Sequence, residues 1–222
     1  VRCKSPQQAD KILAAAARLF ASHRFHEARM EDIAALAEVG KGTLYRYFHD
    51  KEELYMALLA RAAEEYSACL HDAVSEAPSP RDKLVALAFA CLSYFHENPH
   101  VLDLIQHAEV MQKPGQEFPW QKARNRATAL AQELFQAGNH AGVFAVDDPG
   151  LAALMFLGGL RAVLRFGNLP DPAGQAGRIV AGFLGGYGAP PTPAPPGPLK
   201  RPPRAALAVQ VIDGASSSLH NA

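Results

Sequence analysis

The sequence predicts an all-α fold of about nine helices, with a small N-terminal three-helix unit followed by a larger helical body. Three observations carry this. Apolar residues recur at spacings of three and four, as at Ile12, Ala15, Ala16, Leu19 and Phe20, which places them on one helical face. Capping residues stand directly before prolines at Ser5-Pro6, Ser79-Pro80, Asn98-Pro99, Asp148-Pro149 and Asp171-Pro172. Such pairs mark helix starts, because proline at the first helical position gives up an N–H that has no partner there anyway. Finally, no stretch alternates polar and apolar long enough to read as a strand.

Taken in order, the helices are expected over 6–22, 30–37, 41–48, 51–75, 80–97, 99–112, 119–138, 149–167 and 172–186. Ser5 with Gln8, and Asp50 with Glu53, have the capping-box spacing at the starts of the first and fourth. Residues 30 to 51, MEDIAALAEVGKGTLYRYFHDK, hold two short helices separated by a few residues. Ile33, Ala34 and Ala37 bury the first, and Leu44 and Phe48 bury the second. What is left on the second is threonine, tyrosine, arginine and tyrosine, which is poor core material and good material for a DNA groove. The helix over 149–167 is apolar almost all round, broken only by Arg161 and Arg165. One side is expected to meet its own domain and the other a second subunit, with Gly158-Gly159 and, in the next helix, Gly182, Gly185 and Gly186 permitting close approach.

Bulk properties narrow the function. The 222 residues carry 22 basic and 22 acidic side chains, so the chain is not coated in basic charge. The charge is uneven: 8 basic against 6 acidic in residues 1–50, 11 against 15 in 51–187, and 3 against 1 in 188–222. A mildly basic head on an acidic body suits a protein that touches phosphate at one end. Cys3, Cys69 and Cys91 are odd in number and widely spaced, so no disulfide framework or zinc pattern follows and a reducing cytoplasm is the expected compartment. No secretory leader pattern is read, and the uncharged run Leu151 to Leu160 is too short to span a bilayer. His96-Glu97-Asn98-Pro99-His100 matches the letters of a zinc-hydrolase motif. That motif needs both histidines on one unbroken helix, and Pro99 breaks it, so no metal, cofactor or enzymatic activity is expected.

KILAAAARLF followed by MEDIAALAEVGKGTLYRYFHDKEEL resembles the N-terminal domain of the TetR family of bacterial repressors over about residues 8–54. The resemblance implies a helix-turn-helix DNA-binding domain over 1–50 and an effector-binding and dimerisation domain over 51–187. It further implies a homodimer formed through the helices near 149–167 and 172–186. A palindromic operator would be released when a small, lipophilic effector enters the body. By similarity, Lys41, Gly42, Thr43 and Tyr45 face the bases of the major groove, and Tyr47 and Lys51 hold phosphate. Arg46, on the flank, and Arg29, where the family usually has a capping threonine, are further phosphate candidates. Two other departures are Arg24 and Glu38, each where the family usually has glycine. If position 38 requires a positive φ, a non-glycine residue costs about 1 kcal/mol there. These departures motivate an alternative, an all-α effector-binding or enzymatic protein whose reading head has decayed.

For the effector cavity the candidate lining residues are Phe89, Phe95, His107, Met111, Trp120, Arg124 and Phe135, with His107 and Arg124 as the polar groups that would orient a ligand. Residues 188–222 form a tail in which Gly188 to Pro203 holds 8 of the 17 prolines. It is expected to be a polyproline or disordered segment, and no function is assigned to it.

Overall fold

The computed structural model describes residues 6–23, 25–111, 118–167 and 171–187, all of them in one compact unit. The Ser5 cap, Cys3, Arg24, the side chain of Met111 and the proline-rich tail lie outside the described residues. Nine α-helices and no strand are found among those described: α1 (Pro6–Ser22), α2 (Met30–Leu36), α3 (Lys41–Tyr47), α4 (Lys51–Glu76), α5 (Pro80–Glu97), α6 (Pro99–Met111), α7 (Pro119–His140), α8 (Pro149–Phe166) and α9 (Pro172–Tyr187).

Three helix starts are made as the sequence suggests. The side chains of Asp50, Ser79 and Asp148 each accept a hydrogen bond from the backbone N–H three residues on, at Glu53, Asp82 and Leu151. Each satisfies a donor that the helix itself cannot. Asn98 behaves differently. Its side-chain amide donates back to the Tyr94 carbonyl, so it closes α5 rather than opening α6. Because α5 stops at Glu97 and α6 starts at Pro99, His96 and His100 lie on different helices.

Helices α1, α2 and α3 gather around Ile12, Ala16, Ile33 and Leu44, all essentially without solvent exposure. No flexible linker joins this head to the body. The joint is α4 itself, whose first turns bury Leu54 and Tyr55 and whose later turns bury Leu58, Leu59, Ala62 and Ala63. The ring of Tyr55 meets Phe20 and Phe25 edge-on, and its hydroxyl donates to the Leu104 carbonyl on α6. One tyrosine therefore touches the head on one side and the body on the other.

In the body, α4 packs on α5 and α7, α5 on α9, and α7 on α8. Two aromatic clusters fill it. Tyr66, Tyr94, Phe95 and Trp120 form one, with the Tyr94 hydroxyl donating to the Ala62 carbonyl. Phe135, Phe144, Phe156 and Phe183 form the other. Gly138 is dictated by this second cluster: a Cβ there would sit 1.9 Å from the Phe144 ring. By length and composition alone α8 would pass for a membrane-crossing helix, although its uncharged run, Leu151 to Leu160, is shorter than a bilayer needs. Leu151, Leu154, Met155 and Phe166 on it are exposed, and Gly158 and Gly159 present open space.

Candidate nucleic-acid interface and ligand cavities

The turn between α2 and α3 sets the angle of the second helix. Val39 N–H donates to the Ala34 carbonyl and Glu38 N–H to the Ala35 carbonyl. This pair of bonds closes a Schellman turn, which needs its middle residue in the left-handed region. Glu38 occupies that place with φ 54°, the one positive φ of a non-glycine residue among the described residues. The strain anticipated for a missing glycine is thus present at this position, at a cost of about 1–2 kcal/mol.

Beyond the turn, α3 buries Leu44, Tyr47 and Phe48 and exposes Lys41, Gly42, Tyr45 and Arg46, with Thr43 half-exposed. This corrects the expectation that Tyr45 and Tyr47 share one exposed aromatic face. Residues two apart on a helix point about 200° apart, so only one of them can face outward. Tyr45 is 37% exposed and Tyr47 only 5%. Tyr47 is an anchor of α3, with the Arg46 guanidinium 5.5 Å from its ring centre.

Lys51 also departs from expectation. Its ammonium donates to the carbonyls of Phe25 (2.6 Å) and Ala28 (3.0 Å) and lies 4.4 Å from the Phe25 ring centre. It ties the α1–α2 corner to the start of α4, and partial burial lowers its pKa. Two of its three N–H donors serve that clamp, which makes it first a structural residue. Arg29 precedes α2 in extended conformation and makes no side-chain cap, leaving its exposed guanidinium at the surface. Lys41 pairs with Glu31 at 2.6 Å across α2 and α3, and its ammonium lies 5.9 Å from the Tyr45 ring. The Glu31 hydrogen bond and charge raise the Lys41 pKa, so the lysine stays cationic. Gly42 is the most telling position. A Cβ there would meet nothing within 4 Å, so nothing inside the protein asks for glycine at this second residue of α3. Glycine there leaves the backbone at the start of α3 open to the outside.

The family assignment follows from two stretches of the chain. Residues 12–58 match the family described as "Bacterial regulatory proteins, tetR family", and residues 77–165 match "Tetracyclin repressor-like, C-terminal domain". The chain belongs to the TetR family. It is a helix-turn-helix transcriptional regulator of that family. Among its relatives is the transcriptional activator FasR of Mycolicibacterium smegmatis, 27% identical over 113 residues, which are 51% of this chain and 52% of FasR. The chain therefore spans about half the length of that relative. Among solved structures, the fatty acid degradation regulator FadR of Bacillus halodurans is 25% identical with a TM-score of 0.68, covering 83% of this chain and 98% of that one. FadR of Bacillus subtilis in complex with stearoyl-CoA shares the fold at 18% identity, with a TM-score of 0.66, over 80% of this chain and 98% of that one.

The TetR-type body holds a cavity of about 500 Å³ between α4, α5, α6, α7 and α8. Phe95, Trp120 and Arg124 line it, as expected from the sequence. Tyr66, Ile105, Gln106, Arg161 and Arg165 line it too and were not anticipated. The Arg161 guanidinium donates to Glu109 at 3.0 Å. Three candidates fall elsewhere. Phe135 is fully buried in the second aromatic cluster, against the rings of Phe156 and Phe183. Phe89 is 42% exposed and lines neither described cavity, because it sits on the outer side of α5. His107 lines a different cleft, between head and body.

Proposed function

We propose that this chain is a cytoplasmic, homodimeric TetR-family repressor with residues 1–50 as reading head and 51–187 as effector and dimerisation body. Two α3 helices read the half-sites of a palindromic operator. Lys41, Gly42, Thr43 and Tyr45 face the bases, and Arg29, Arg46 and Tyr47 face the backbone. Gly42 carries this reading: its open outward position has a use only when a large surface comes within contact distance. Glu31 must yield Lys41 when DNA arrives, an exchange of one exposed anion for another at little cost. The exposed apolar stripe Leu151, Leu154, Met155 and Phe166, with the open Gly158-Gly159 pair, supports a second copy as the cover of α8.

The effector is an amphipathic anion of the acyl-thioester kind. Rings from Tyr66, Phe95 and Trp120 suit an acyl chain, while Arg124, Arg161 and Arg165 suit phosphate or carboxylate. FadR of Bacillus subtilis, with stearoyl-CoA bound, supports the choice. Selection of bound fragments from fragmented genomic DNA of the source organism tests the reading. One palindromic site should be enriched, and long-chain acyl-CoA should release it from the wild type but not from Arg124→Ala. Failure to enrich any site favours the decayed-head alternative. Release that is indifferent to the arginine removes the cavity from the account.

A further inference from the structure

A second cleft, about 510 Å³, lies where the α1–α2 corner of the head meets α6 of the body. Its floor is aromatic: Phe20, Phe25 and Tyr55 touch one another at ring-centre distances of 4.9 to 5.9 Å. His107 lies 4.5 Å from Phe25 with the rings tilted by 36°, and meets Tyr55 edge-on at 5.5 Å. Its Nε2 is buried and finds no hydrogen-bond partner in the protein. A buried polar atom left in that state costs about 1–3 kcal/mol, so a group that meets it is favoured.

The chemistry around the cleft contrasts with the arginine-lined cavity. Burial pushes the imidazoles of His100 and His107 below the ordinary histidine range. For His107, the neighbouring His26 and Lys51 push the same way and Glu52 opposes them. Both rings are therefore neutral near pH 7. The Lys51 ammonium is turned into the carbonyls of Phe25 and Ala28, and Asp103 puts one carboxylate at the rim. Among the described residues no three histidine, cysteine or acidic side chains are arranged to hold a metal ion, so the four histidines around the cleft do not make a metal centre.

We propose that this cleft is a second ligand site, taking an uncharged, planar aromatic molecule with a hydroxyl or ring N–H that meets His107 Nε2. A flat ring packs against Phe25 and Tyr55, as the tilted and edge-on His107 ring does, and a neutral molecule avoids the Asp103 carboxylate and needs no arginine. The site lies between α6, whose Asp103 lines both the cleft and the effector cavity, and the corner that leads into α2. Its occupant contacts head and body at once.

The test is calorimetric titration of the full chain, without DNA, using 2-naphthol and its anionic counterpart 2-naphthoate. 2-Naphthol should bind saturably at one site. His107→Leu should weaken it about tenfold, as expected for loss of one buried hydrogen bond. Ala21→Trp, which fills the cleft from an exposed lining position and leaves the core alone, should abolish it, and Arg124→Ala should leave it unchanged. In the Arg124→Ala protein, 2-naphthoate should bind at least tenfold more weakly than 2-naphthol. No saturable 2-naphthol binding, or binding that survives Ala21→Trp or disappears with Arg124→Ala, overturns the site. Equal binding of the anion, blocked by Ala21→Trp, overturns the ligand class. None of these outcomes depends on operator binding, so the regulator reading stands or falls separately.

Discussion

The reading helix and the helix of the proposed dimer face leave opposite chemistry outside. Helix α3 turns Leu44, Tyr47 and Phe48 inward and shows Lys41, Gly42, Tyr45 and Arg46. Helix α8 buries Ala152, Ala153, Phe156 and Leu160 yet still shows Leu151, Leu154, Met155 and Phe166. A polar, cationic face with an open glycine suits a charged, hydrated partner such as a nucleic acid. A dry face with open glycines suits another protein surface. The two helices are thus built for different partners, and each can be altered without touching the other.

The largest effect is expected from α8. Leu151→Glu with Met155→Glu puts charge into the dry stripe and should convert dimer to monomer by light scattering, while helical circular dichroism is kept. Operator affinity should then fall by at least 100-fold, since two half-sites are no longer read together. Next comes the anchor of α3. Leu44→Ala empties a fully buried position and should cost about 3 kcal/mol in denaturant unfolding. Tyr45→Ala should leave stability nearly unchanged and weaken operator binding about tenfold, with altered sequence preference in selection. Smaller still, and the sharpest separation of fold from function, is Gly42→Ala. It should leave stability unchanged or slightly raised in denaturant unfolding while weakening DNA binding. Glu38→Gly relieves the left-handed residue and should stabilise the head by about 1 kcal/mol. It should also tighten binding to all DNA, because a carboxylate is lost from the turn beside α3.

Much of this was legible in the sequence where local rules decide it. Helix bounds came from capping and proline pairs, and the special place of Glu38 came from the family's usual glycine, borne out by its positive φ. Tyr47 is polar enough to suit the surface, yet its angular position on α3 turns it inward. The spacing of Leu44, Tyr47 and Phe48 at i, i+3 and i+4 already marks the buried face. Lys51 could not be read, because its carbonyl partners at Phe25 and Ala28 are more than 20 residues away. The cavity was the least legible part. Large aromatics alone do not separate Phe95 and Trp120, which line it, from Phe135, which is enclosed by other rings. Its basic side did leave a signal: Arg161 and Arg165 interrupt an otherwise apolar helix, where a charge needs a reason.

The central claim is that α3 is a working DNA reader. Fluorescence anisotropy with a selected genomic fragment, measured across a salt series for the wild type and Tyr45→Ala, tests it most directly. The account predicts that log affinity falls linearly and steeply with log salt, and that Tyr45→Ala keeps this slope but loses preference for the selected site over random DNA. Salt-insensitive binding, or undiminished site preference without Tyr45, would contradict it.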